Sequence, residues 1–292
     1  MDSSNTANDT IEPLHGNPIQ PQDEPSQKPF LEIPLFSRSS LLPAIAAGAR
    51  RIELNASSSY GVGGTTPDLE FVRNVSSDLD SLDVSVPLRV MLRPRGGGFV
   101  YSAGERSQIQ TSIAEIKGLL NLERGDGLVF GALNPRADGS GWAIDTGLCT
   151  SVVIWAQPFP VVFHRAFDEA IGSDGGAEVE SMFDIIQRLG FNGLLTSGGV
   201  GNARENLTVV KRIVERSRVG KMEVVVGGGV RGANVGDIYR ELREVQGTRV
   251  VYHSSCLSDP GQSEEVDVQE VRRIVGVWQA DEADRGSNAP TR

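Results

Sequence analysis

A repeated alternation constrains the fold of this chain more than any other feature. Short apolar, β-branched runs lie at 31–36, 51–55, 88–93, 128–133, 161–164, 194–196, 223–226 and 249–253. Each is followed by a stretch with helical spacing, near 39–48, 67–79, 105–122, 142–156, 177–189, 203–217, 233–245 and 264–279. Eight such units of about 31 residues match the size of a βα repeat. Strands that are largely apolar are strands covered on both faces, which predicts a parallel sheet. Eight units predict closure into an α/β fold of the (β/α)8 TIM-barrel type; a doubly wound open sheet is the other topology the spacing allows. Gly48, Gly125, Gly190 and Gly220 stand where helices should stop, and Pro67 and Pro158 at helix boundaries.

The ends read differently. Residues 1–29 hold five of the 15 prolines and almost no apolar periodicity, which predicts a disordered N-terminal tail. The barrel is expected over 30–281 as a single domain, with a C-terminal tail over 282–292. Lys and Arg number 28 against 38 Asp and Glu, a formal net of −10. Such a surface repels phosphate backbones and anionic lipid, arguing against nucleic acid and membrane as partners. No apolar run approaches the ~20 residues of a spanning helix. The residues after Met1 do not read as a secretory signal. Two cysteines, Cys149 and Cys256, make no disulfide framework, so a reducing, cytoplasmic setting is expected.

In a barrel of this kind chemistry gathers at the carboxyl ends of the strands. Period-2 alternation turns Glu53 inward at the end of the second strand, Arg93 at the third and His164 at the fifth. Arg95, Arg165 and Asp168 follow in the loops. One reading of Glu53, Arg93 and His164 is an internal ion-pair network. The other is a catalytic pocket in which His164 exchanges a proton, Glu53 or Asp168 orients its ring, and Arg93 and Arg95 clamp an anion. Arg165, Ser197, Gly228, Gly229 and Ser254 complete the candidate anion-binding set, since glycine lets backbone approach a ligand closely. For a metal, Cu(I) prefers thiolate, thioether and imidazole, and His253 and Cys256 are the His/Cys pair close in sequence. Zinc-type spacings, a Rossmann fingerprint and a Walker loop do not occur.

Several blocks together resemble the CutC copper homeostasis proteins, in the same order and from about Leu31 to Cys256. They are Arg51-Ile-Glu-Leu, Gly63-Gly-Thr-Thr-Pro67, Met91-Leu-Arg-Pro-Arg-Gly-Gly97, Leu128-Val-Phe-Gly131, Phe163-His-Arg-Ala-Phe-Asp168, Leu195-Thr-Ser-Gly-Gly199, Gly227–Gly229 and Tyr252-His-Ser254. The resemblance implies a (β/α)8 barrel, a cytosolic homo-oligomer (dimer or tetramer), and copper tolerance through binding of copper, as Cu(I). Three positions depart from the family pattern. Asn55 stands where many relatives have Cys, Gly98 replaces an acid, and the thiol after Tyr252-His is displaced to Cys256. Glu53, Arg93, Arg95, His164, Arg165 and Asp168 match. Beside the copper role, an intact polar pocket implies a second one: a barrel enzyme acting on a small anionic metabolite, phosphorylated ones included.

Overall fold

In the computed structural model, residues 29–287 are described apart from 83, 173–177, 246–248 and 258–262. The expected tail over 1–29 therefore lies almost wholly outside the described residues. Among the described residues, ten strands and nine α-helices follow in chain order: β1 (Phe30–Leu35), α1 (Leu41–Ala46), β2 (Arg51–Leu54), α2 (Leu69–Ser81), β3 (Leu88–Met91), α3 (Ala103–Lys117) and β4 (Gly127–Phe130). Then come β5 (Leu133–Pro135), β6 (Trp142–Ile144), α4 (Thr146–Ala156), β7 (Val161–Phe163), α5 (Ala166–Ile171) and α6 (Val179–Arg188). The chain continues with β8 (Gly193–Thr196), α7 (Leu207–Ser217), β9 (Glu223–Val226), α8 (Val235–Leu242), β10 (Val250–His253) and α9 (Val268–Ser287).

Eight of the strands close a parallel barrel in the order β1-β10-β9-β8-β7-β4-β3-β2, as the alternation predicts. The pairing of β1 with both β2 and β10 makes the closure, and the open-sheet alternative is excluded. Alternate residues of each strand divide two cores. Ile33, Ile52, Val90, Leu128, Leu194 and Val224 face outward into the layer beneath the helices. Met91, Val129, Val162, Leu195, Val225 and Val251 fill the barrel itself.

Local chemistry explains the element ends. Asp68 caps α2 by accepting the Phe71 amide hydrogen at 2.7 Å, and Ser102 with Glu105 forms a capping box on α3. Gly48 and Gly190 follow α1 and α6 with φ of 116° and 91°, a backbone that side chains resist, whereas α3 ends at Lys117 and Gly125, expected to end it, lies in a later turn.

Four expectations are corrected. Helix was expected from 142, but Trp142–Ile144 pairs antiparallel with Leu133–Pro135 as a hairpin, and α4 starts only at Thr146 behind its Asp145 cap. The fourth strand correspondingly ends at Phe130 rather than at 133. A short helix, α5, also opens directly after β7, so Asp168 sits in a helical turn rather than a loop. The last helix runs past 281, to Ser287.

Candidate functional site

The carboxyl ends of the strands surround a cavity of about 870 Å³, within the size range of small-molecule sites. Glu53, Arg93, His164, Arg165, Asp168, Gly228, Gly229, His253 and Ser254 line it; Arg95, Ser197 and Cys256 do not. Its residues differ in how far the protein itself engages their hydrogen-bonding atoms.

Asp168 belongs to the engaged group. Its carboxylate accepts from Arg165 Nε at 2.8 Å, from the Ser197 amide at 3.0 Å and hydroxyl at 2.8 Å, from the Gly199 amide at 3.2 Å, and from the Thr196 hydroxyl. It ties the start of α5 to the end of β8, and no lone pair remains for orienting His164. Ser197 is buried beneath the pocket wall, where its hydroxyl also accepts from Arg165 Nη2 at 2.8 Å.

Arg93 is engaged through both terminal nitrogens, its buried Nε alone having no partner. Its Nη1 donates to the carbonyls of Val62 at 2.6 Å and Gly64 at 3.1 Å, its Nη2 to Gly97 at 2.6 Å. The guanidinium lies 4.8 Å from the Phe99 ring centroid, and burial lowers its pKa. It staples the loops after β2 and β3 together. Arg95 turns away: it pairs with Glu105 and donates to the carbonyls of Gly96, Gly98 and Val100. The expected Arg93/Arg95 anion clamp is therefore not assembled, because both guanidiniums are consumed by loop carbonyls or by Glu105.

Other lining residues keep free atoms. His164 Nδ1 accepts the Ala166 amide hydrogen at 3.1 Å, which assigns the ring proton to Nε2, and Nε2 is buried without a partner. Burial, aided by the nearby Arg93 charge, holds its pKa down at about 3, so the imidazole is neutral. Gly131 makes room for it, since a Cβ there would lie 2.5 Å from Nδ1. Glu53 Oε1 accepts from Asn55 Nδ2 at 3.0 Å, while Glu53 Oε2 and Asn55 Oδ1 have no partner. Burial raises the Glu53 pKa.

His253 Nδ1 bonds Glu32 Oε1 at 2.7 Å. Burial opposes charge on both, but Arg51 and His253 outweigh it for Glu32, whose pKa falls to about 2. The bond to Glu32 and the nearness of Glu53 raise that of His253. Ligand atoms of Glu32, Glu53 and His253 all lie within 4.8 Å of one another, close enough to hold a metal ion. Cys256 is not part of it. The side chain is packed in the outer core, where burial lifts the thiol to about 11, and Cys149 is buried with a pKa near 12. His253 and Cys256, close in sequence, are thus not brought together as a soft-donor pair.

Glu53, Arg93 and His164 do not pair with one another either. An internal ion network exists one layer deeper, from other residues: Arg51 bonds Glu32 and, at 2.6 Å, Glu223, which Arg249 meets at 3.1 Å. Glu32 and Arg231 are the site residues that the sequence reading missed. Glu32 was available from the alternation that turned Glu53 inward. Arg231, two residues beyond the Gly227–Gly229 run, had no comparable signal.

Residues 30–256 match the model of the CutC family. A copper homeostasis protein cutC homolog from Homo sapiens is 40% identical over 206 residues, covering 70% of this chain and 67% of its own. A CutC family protein from Xylella fastidiosa is 33% identical, covering 78% and 75%. A solved CutC structure from Streptococcus agalactiae superposes with a TM-score of 0.62 at 27% identity, covering 77% of this chain and 97% of its own.

Proposed function

The chain belongs to the CutC family, and from that premise we propose that it serves copper homeostasis by holding a copper ion, as cargo, at the barrel mouth. The observation that carries this reading is the cluster of Glu32, Glu53 and His253 with its unpartnered Glu53 oxygen. Glu32 fixes one nitrogen of the His253 ring, which leaves Nε2 as the ligand atom. A carboxylate behind a metal-binding imidazole is the usual orienting device. Glu53 then supplies the charged oxygen, losing the proton that burial favours when a cation arrives.

This donor set suits Cu(II) better than Cu(I). The thioether of Met91 is the soft donor among the residues lining the same cavity. Both cysteines are free, which supports a reducing compartment and, with it, residence in the cytosol. Among the described residues no helix is long and apolar enough to cross a membrane. Self-association as a dimer or tetramer is part of the same proposal.

Competitive titration with Cu(II) and Cu(I) tests the site. A single copper per chain is expected, bound more tightly as Cu(II), with Glu53→Gln and His253→Asn each weakening it by about tenfold or more. Cys256→Ser should leave it unchanged. Equal affinity in the wild type and both mouth variants would overturn the reading.

A further inference from the structure

Copper at Glu53 and His253 leaves another part of the same cavity unexplained. Arg231 lines the cavity, and its contacts are all to neutral groups. Its Nη1 donates to the Val230 carbonyl at 2.9 Å and the Ser254 hydroxyl at 3.0 Å, its Nη2 to the Ser255 hydroxyl at 3.0 Å. No carboxylate pairs with it among the described residues, although the chain carries ten more acidic than basic side chains (38 − 28). A guanidinium held in place by hydroxyls and kept from any carboxylate is prepared for an anion from outside.

Arg165 faces the same space. Asp168 and Ser197 grip its Nε and Nη2, leaving the side chain 44% exposed. Between the two lies a turn that has to be glycine. Gly228 and Gly229 have φ of 86° and 75°, and a Cβ on Gly228 would stand 2.7 Å from Ser197 Cβ and 3.4 Å from Arg165 Cζ. The amide hydrogens of Gly228 and Gly229 meet no acceptor among the described residues.

Independent evidence for a ligand comes from two other residues of the cavity. His164 Nε2 and Glu53 Oε2 are buried and lack partners, and both residues line the cavity. Buried polar atoms without partners are costly, so a ligand with a hydroxyl or carbonyl group has donors and acceptors waiting. A bare inorganic anion would satisfy the guanidiniums and leave those atoms unmet.

We infer that the barrel mouth binds a small organic phosphate ester, its phosphate on Arg231, Arg165 and the Gly228–Gly229 amides, its hydroxyl or carbonyl group toward His164 and Glu53. This binding site is separate from the copper reading in its residues, Glu53 excepted. The neutral His164 ring donates through Nε2–H, which selects a ligand oxygen there. Ser197, Gly228, Gly229 and Ser254, expected from the sequence to cradle an anion, act here with Arg165 and with Arg231 in place of Arg95.

The test uses the full chain, stripped of metal by chelation, with glycerol 3-phosphate, inorganic phosphate, glycerol and succinate as probes. Calorimetric titration and thermal shift read binding. Glycerol 3-phosphate is expected to raise the melting temperature and to bind more tightly than inorganic phosphate; glycerol and succinate should bind weakly or not at all. Arg231→Gln should weaken glycerol 3-phosphate at least tenfold and Arg231→Lys less, while His164→Gln should abolish its advantage over inorganic phosphate. Circular dichroism confirms that each variant is folded, and Arg38→Gln, which does not line the cavity, controls for general charge. No phosphate binding by the wild type, equal binding by wild type and Arg231→Gln, or preference for succinate would overturn the inference. Loss of copper binding in His253→Asn with phosphate binding retained would separate this site from the copper reading.

Discussion

The two ends of the barrel interior hold similar residues in opposite conditions. At the base, Glu32, Arg51, Glu223 and Arg249 form a chain of ion pairs in which each carboxylate meets a guanidinium. At the mouth, Glu53, Asn55 and His164 are as buried as Glu32 and Arg51 and keep unpartnered atoms, and Arg231 meets no carboxylate among the described residues. Burial alone therefore does not distinguish a structural charge from a functional one. What separates them is whether the fold itself supplies the opposite charge, since Arg51 Nη2 at the base also lacks a hydrogen-bond partner. Asp168 shows that position does not decide it either, since it lines the mouth and is satisfied on every side.

The strongest test of this contrast is Arg51→Met. Removing the shared cation leaves Glu32 and Glu223 buried without it, which should cost about 3–5 kcal/mol in denaturant unfolding. A loss below about 1 kcal/mol would mean that the base tolerates unpaired charge as the mouth does. Next in size is Asp168→Asn. It exchanges a carboxylate that accepts throughout for an amide that presents hydrogens to the amides of Ser197 and Gly199, and about 2 kcal/mol of stability should go. If stability is kept and only ligand binding falls, Asp168 belongs with the functional group after all.

The smallest effect at neutral pH is expected from His164→Gln, about 1 kcal/mol, because the amide oxygen can still accept from Ala166. Its signature is the acid limb. The folded His164 pKa, about 3, lies below the ordinary 6.5, so between those values the unfolded chain binds a proton that the folded one refuses. Stability should fall as pH drops through that window, and the variant should flatten the fall. Glu32 adds its own loss between 4.5 and about 2, in wild type and variant alike. An unchanged profile would mean that the His164 ring is not held neutral by burial.

The barrel was legible because each strand is a short, largely apolar run followed by a helical period, a signal that local steric rules transmit directly. The β5–β6 hairpin was not, because Trp142-Ala-Ile144 continues smoothly into the apolar face of α4 and only the Asp145 cap marks the boundary. The members of the site could be named from parity, but not their partners. Arg95 and Arg93 are alike in sequence terms, and loop carbonyls and Glu105 decided where each guanidinium went. Cys256 follows the same rule: three residues from His253 along the chain, it adopts a φ of 49° and turns into the outer core.

The loop that follows β2 has an anchor at a great distance in the chain. Glu264, just ahead of α9, accepts the amide hydrogens of Ser58, at 2.6 Å, and Tyr60, at 2.9 Å, with both of its oxygens. Tyr60 and Val62 on this loop rim the cavity opposite the rigid corner that Asp168 builds. Together with Arg93, this contact fixes that side of the doorway, and it reaches there from the segment that leads into the final helix. The entrance thus shares its hydrogen bonds with a part of the chain some two hundred residues away.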